Sequence, residues 1–141
     1  TASARKYSYY MRINNWFDHE DKIGGNFDKR DLAEKYNFSM VAENILVVKS
    51  STEDLQVDDQ SMEFFYQGWK NSPHHYENMV NKDFKDVGLG FSVGPSPDSE
   101  FPFAMYGAQE FGTLKKSVQA YENMTRAAEN MTKASQASAV E

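Results

Sequence analysis

The sequence predicts an α+β domain, and three stretches carry that expectation. Met62, Phe65, Tyr66 and Trp69 fall at the i, i+3, i+4, i+7 spacing that puts four large side chains on one helix face, which must then be buried. Val87, Leu89, Phe91 and Val93 alternate with Gly88, Gly90 and Ser92, the signature of a half-buried strand. Phe103, Met105, Gly107, Gln109 and Phe111 form a second alternating set, so residues 87–112 read as an antiparallel hairpin with a long loop. Beyond Gly112, apolar positions recur at spacings of three and four from Leu114 through Val118, Tyr121, Met124 and Ala128 to Met131. That stretch lacks Gly and Pro, as a long amphipathic helix requires.

The elements follow in order. Residues 2–17 place Ala2, Tyr7, Tyr10, Met11 and Phe17 among polar positions, a helix with an apolar side whose end Trp16 and Phe17 pin. Gly24-Gly25-Asn26 closes a loop, which leaves His19 at a helix exit. Residues 31–36 read as a short helical turn, and Met40 to Val48 is a nearly continuous apolar run interrupted by Glu43 and Asn44. A carboxylate in such a run normally faces solvent, and it needs a partner where the run is packed on both sides. Ser50 and Glu53 have capping-box spacing, so the central helix is expected to start there and to run to about Trp69. Pro73 cannot continue a helix; the chain is expected to break after Trp69 and to present His74 and His75 on a turn. Three segments result: a domain at 1–112, a helix at 113–134 that packs on it or on a partner, and a frayed tail at 135–141.

A chain of 141 residues, 40% hydrophobic, supports one core and requires no second domain. The net charge of -6 with no basic run argues against nucleic acid as a partner. No apolar stretch approaches the roughly 20 residues that span a bilayer, and the first residues lack the pattern of a signal peptide. A soluble chain from which any export signal has been removed is expected. The absence of cysteine excludes disulfides, thiolate metal sites and cysteine nucleophiles, but not secretion.

Four motifs now stand in order: Phe17-Asp18-His19, Ala42-Glu43-Asn44-Ile45, Trp69 to Met79 with Ser72-Pro73-His74-His75 at its centre, and Gln109-Glu110-Phe111-Gly112. Over about residues 5–112 they resemble the CAP superfamily of cysteine-rich secretory proteins, antigen 5 and pathogenesis-related proteins, nearest to its cysteine-free bacterial-type members. The resemblance implies an α-β-α sandwich, a small mostly antiparallel sheet between helical layers, with a cleft formed by the motif residues. It implies His19 and His75 as ligands of a divalent cation, often zinc, and Glu43 as the first of two cleft glutamates. The second is missing, because Ser72 stands where the family carries glutamate, so the cation is expected to be weakly held. The late helix segment Gln119 to Ala127 resembles the family's first helix, for which nothing precedes Ala2; ordinary Ala-rich helix composition is the preferred reading of the same residues.

Each candidate has a plainer reading beside it. His19 and His75, far apart in sequence, are without the resemblance two polar histidines at helix exits. Glu43 is either a general base on a metal-bound water or a residue that fixes a histidine tautomer, and the second role is preferred. Ser72, Asn78 and Gln109 are expected to line the cleft, the two amides by satisfying backbone groups, and Trp69 is expected to be a structural anchor. The expected function is a secreted or cell-envelope binding module with a histidine-lined cleft. The alternatives are a metal-assisted hydrolase or peptidase using the same residues, and a sterol or fatty-acid carrier. Its partner is a small molecule, lipid or protein, and self-association through the C-terminal helix is open.

Overall fold

The structure, a computed structural model, describes the backbone of residues 1–138 and the side chains of residues 1–133. Five helices and three strands follow in the order α1 (Ala2–Asn14), α2 (Phe27–Ala33), β1 (Phe38–Ser50), α3 (Asp59–Lys70), α4 (Pro73–Val80), β2 (Asp86–Pro95), β3 (Phe103–Leu114) and α5 (Lys116–Ser138). The strands form one antiparallel sheet in the order β1-β3-β2. The expected hairpin is β2 and β3, in register from Asp86 opposite Gly112 to Pro95 opposite Phe103. The uninterpreted apolar run 40–48 is β1, which pairs with β3 from Phe38 opposite Leu114 to Ser50 opposite Phe103. Helices lie on both faces, which makes the domain an α-β-α sandwich.

On one face α1 lies over β2 and β3. Ala4, Tyr7 and Met11, spaced three and four apart, are buried against Ile45, Ala104, Tyr106 and Ala108. The helix stops at Asn14 because Asn15 adopts the left-handed conformation (φ 44°), so Trp16 and Phe17 lie beyond it, and Ala2 is exposed. On the other face α3 and α4 lie over β1, and Phe65 and Trp69 meet Met105 and the half-buried Phe91 in a second cluster.

Several expectations are corrected. The central helix starts at Asp59, capped by Asp58, not near Ser50. The Asp58 carboxylate accepts from Ser61 N at 2.8 Å while Ser61 Oγ accepts from Asp58 N at 3.0 Å, a reciprocal cap. Ser50 Oγ instead donates to Asp54 at 2.6 Å, closing a loop on itself. Pro73 does not merely stop a helix; it is the first residue of α4, where a missing N–H costs nothing, and His74 and His75 therefore sit on a helix. Tyr66 is 42% exposed, so the buried stripe of α3 is narrower than its spacing predicts. The short helix α2 begins at Phe27, four residues before the expected turn.

The face assignment of β2 is the largest correction. Gly88 and Gly90 are buried, whereas Val87 and Leu89 are 57% and 46% exposed. A Cβ added to Gly90 would lie 2.2 Å from the Ala4 carbonyl carbon and 2.3 Å from Arg5 N, so α1 rests directly on the strand backbone. Gly90→Ala is accordingly expected to destabilise by about 1–3 kcal/mol or more, because backbone cannot yield as a flexible side chain can. A urea midpoint equal to wild type would show that α1 is free to lift.

No helix among the described residues is long and apolar enough to cross a membrane. The tail expected at 135–141 lies outside the residues described with side chains.

Candidate functional site

Glu43 and Asn44 are consecutive in β1 and therefore project to opposite faces of the sheet. Both are buried, at 4% and 0% exposure, so of the two readings of Glu43 the packed one, which needs a partner, applies. Each is satisfied by a different set of elements, and β1 is an edge strand, so the two sets lie on either side of one sheet edge.

On the α1 side, Glu43 Oε1 lies 2.8 Å from His19 Nδ1 and Oε2 accepts from Arg30 Nη2 at 2.6 Å. The Arg30 guanidinium also donates to the carbonyls of His19 (3.1 Å) and Gly25 (2.9 Å), and its carbon stands 3.3 Å from the centroid of the Tyr7 ring. Tyr7 in turn donates to the Asp18 carbonyl at 2.5 Å, which ties the histidine loop to α1. With Nδ1–H donating to the carboxylate, the neutral His19 ring keeps Nε2 as an acceptor or ligand. The bond to Glu43 holds the His19 pKa above the usual imidazole value, against an opposing effect of burial.

On the α4 side, Asn44 Nδ2 donates to the His75 carbonyl (3.0 Å) and to Gln109 Oε1 (3.0 Å), and Asn44 Oδ1 accepts from Asn78 Nδ2 (2.8 Å). This amide chain fixes the first turn of α4 against the sheet. The His75 ring is half-buried, and its Nδ1 meets no hydrogen-bond partner among the described residues. Burial, with smaller contributions from the charges of His19 and His74, holds the His75 pKa below its usual value. His74 is exposed and reaches only Glu77, at 3.9 Å. Ser72 is the N-cap of α4 and makes no capping bond with its side chain. Trp69 is 2% exposed and packs edge-on against Phe65, with ring centroids 5.6 Å apart.

Sequence reasoning missed Arg30, and it named Asn44 in the second motif without giving it a role. The apolar run implied that Glu43 needs a partner if buried, but nothing in the spacing identifies Arg30. Asn44 carried a readable signal, a primary amide inside an apolar strand, which must be satisfied by groups across the sheet. A third buried polar group lies further along the α1 face: Ser3 Oγ donates to Glu110 Oε1 at 3.0 Å, and burial, then the adjacent Asp31 carboxyl, push Glu110 up to about 9.

Two concavities border the sheet away from the histidines. One, of about 320 Å³, has Phe65 and Met105 among its apolar lining and Asp54 and Asp58 among its polar lining. The other, of about 260 Å³, is bordered by Ser3, Asp31, Tyr36 and Glu110. Among the described residues, no group of three or more His, Asp or Glu side chains is arranged to hold a metal ion. His19 and His75 stand on either side of the β1 edge, near enough for the charge of His19 to bear on His75; two imidazoles alone would suit a labile divalent cation and not a tightly retained four-coordinate ion.

The sequence matches the cysteine-rich secretory protein family (CAP) over residues 1–106. It is similar to the uncharacterized protein YkwD of Bacillus subtilis (strain 168), at 27% identity over 91 residues, 64% of this chain and 32% of that protein. The fold is similar to the crystal structure of an extracellular protein containing a SCP domain from Bacillus anthracis str. Ames. The TM-score is 0.57 and the identity 25%, with 79% of this chain and 30% of that one covered. The chain thus spans about a third of the length of the relatives it matches.

Proposed function

Because the chain belongs to the cysteine-rich secretory protein family, itself has no cysteine and is similar to bacterial proteins, we propose that it is a secreted or cell-envelope binding module. The edge of β1 is its recognition site, and it holds a divalent cation weakly through His19 and His75. The supporting observation is the state of Glu43. Its side chain is 0% exposed and both oxygens are engaged, one by His19 and one by Arg30. A carboxylate held in this way and closed off from solvent orients an imidazole; it is not placed to take a proton from water, which is what a hydrolase would ask of it. Binding is therefore favoured over metal-assisted hydrolysis. The carrier reading draws only on the 320 Å³ concavity, whose carboxylates suit an apolar ligand poorly.

The two histidines differ as ligands. His19 is set up to present Nε2 by its bond to Glu43. His75 can present Nε2 only by keeping a proton on Nδ1, where no acceptor awaits it, and that cost weakens the site. Cation binding also competes with protonation of His19, whose pKa is raised, so affinity falls as pH drops through that value. Calorimetric titration with zinc at about pH 7.5 and about pH 5.5 should give weak binding at the higher pH and loss at the lower. His19→Ala should remove binding and His75→Ala should reduce it. An affinity indifferent to pH, or to replacing both histidines, would place the cation elsewhere and leave the proposed site without a ligand.

A further inference from the structure

The sheet is covered unevenly. Under α1 the glycine side of β2 is sealed, but on the opposite face α3 and α4 lie over β1, and Val87 and Leu89 stand 57% and 46% exposed. This apolar strip runs along an edge strand, beside Phe111 opposite Val87 and towards the half-buried Phe91.

The helix α5 is its counterpart. Val118, Tyr121, Met124 and Met131 lie at spacings that share one face, yet Tyr121, Met124 and Met131 are 71%, 72% and 74% exposed and only Val118 is half-buried. Helices in folded proteins gain most of their stability by burying such a stripe, not from propensity. The chain thus carries an unpartnered helix and an unpartnered sheet strip at once.

They do not meet within one copy. β3 ends at Leu114 and α5 begins at Lys116, so one residue joins them, and Lys115 N is held by the Asn37 carbonyl at 2.9 Å. Folding a helix back over a sheet needs a connection of roughly 2–6 residues, and a shorter hinge favours exchange between copies. Charge acts in the same direction: the chain is net negative, but in the last segment Lys115, Lys116, Arg126 and Lys133 outnumber Glu122, Glu129 and Glu141, leaving the body as the acidic partner.

We propose that α5 of one copy packs its Tyr121–Met131 stripe on the Val87–Leu89 strip of a second copy, and the reverse, in a two-fold helix-exchanged dimer. Sedimentation velocity of the full chain across a concentration series should show a species of doubled mass. Leu89→Asp and, separately, Met124→Asp change exposed residues, so the fold is spared and the dimer is lost, as circular dichroism and sedimentation together would show. Mixing the two variants should recover a heterodimer through the one seat intact in both components. Inserting a five-residue Gly/Ser linker after Lys115 should give a monomer that keeps its α5 helicity, since the helix then reaches its own strip. A chain monomeric at every concentration would overturn the exchange, as would a dimer indifferent to Leu89→Asp, which would mean that α5 pairs with another surface.

Discussion

Trp69→Ala is expected to lower stability by about 3–5 kcal/mol, which moves the urea midpoint down by on the order of 2 M for a slope of roughly 2 kcal/mol/M. The ring is 2% exposed and closes α3 against Phe65 and Phe91, at centroid distances of 5.6 and 6.1 Å. Removing it opens a void beside Met105, and the surrounding side chains belong to α3, β2 and β3, which cannot all move inward. The loss also reaches the site, because Ser72 N is bonded to the Trp69 carbonyl at 3.2 Å and α4 with His75 starts from Ser72. Unchanged stability together with lost zinc binding would contradict this account, since Trp69 would then be a ligand contact.

Glu43→Ala is the second large effect. It leaves the Arg30 guanidinium, 14% exposed, without its carboxylate, and breaking a buried ion pair from one side typically costs about 3–5 kcal/mol. It also frees the His19 ring. Because the bond to Glu43 raises the His19 pKa above its unfolded value, the extra stabilisation that ring protonation adds to that bond is complete below about 6.5. It is lost as pH rises through the folded value. The stability gap between wild type and Glu43→Ala should therefore narrow as pH increases across that window, while the part owed to Arg30 persists. Urea unfolding at several pH values measures both parts, and a gap that widens with pH would reverse the assigned sign.

The hairpin was legible because period two survives in Val87–Val93 and Phe103–Phe111 whichever face is buried. The identity of the buried face was not legible. Burial under α1 is achieved by the lack of side chains at Gly88 and Gly90, which a hydrophobic pattern reads as the exposed side. Phe65 and Trp69 were legible as core through their four-residue spacing, but the start of α3 was not. Ser50 and Glu53 imitate a cap in sequence, and Asp58 prevails through its reciprocal bonds with Ser61. Around Glu43 the sequence indicated that a buried carboxylate would need a counter-charge. That Arg30 supplies it depends on how α2 settles against β1, which local pattern does not encode.

The position of β3 bears on how the protein is made. The middle strand of the sheet is the last to be synthesised: β1 ends at Ser50 and β2 at Pro95, and neither pairs with the other, so both wait for Phe103–Leu114. A nascent chain on the ribosome therefore holds two strands with no ladder between them until nearly the whole domain has emerged. Closing the β1–β3 pairing then joins residues as distant as Phe38 and Leu114 in one step. The sheet thus cannot close until Phe103–Leu114 has been made, whatever the order in which the helices form.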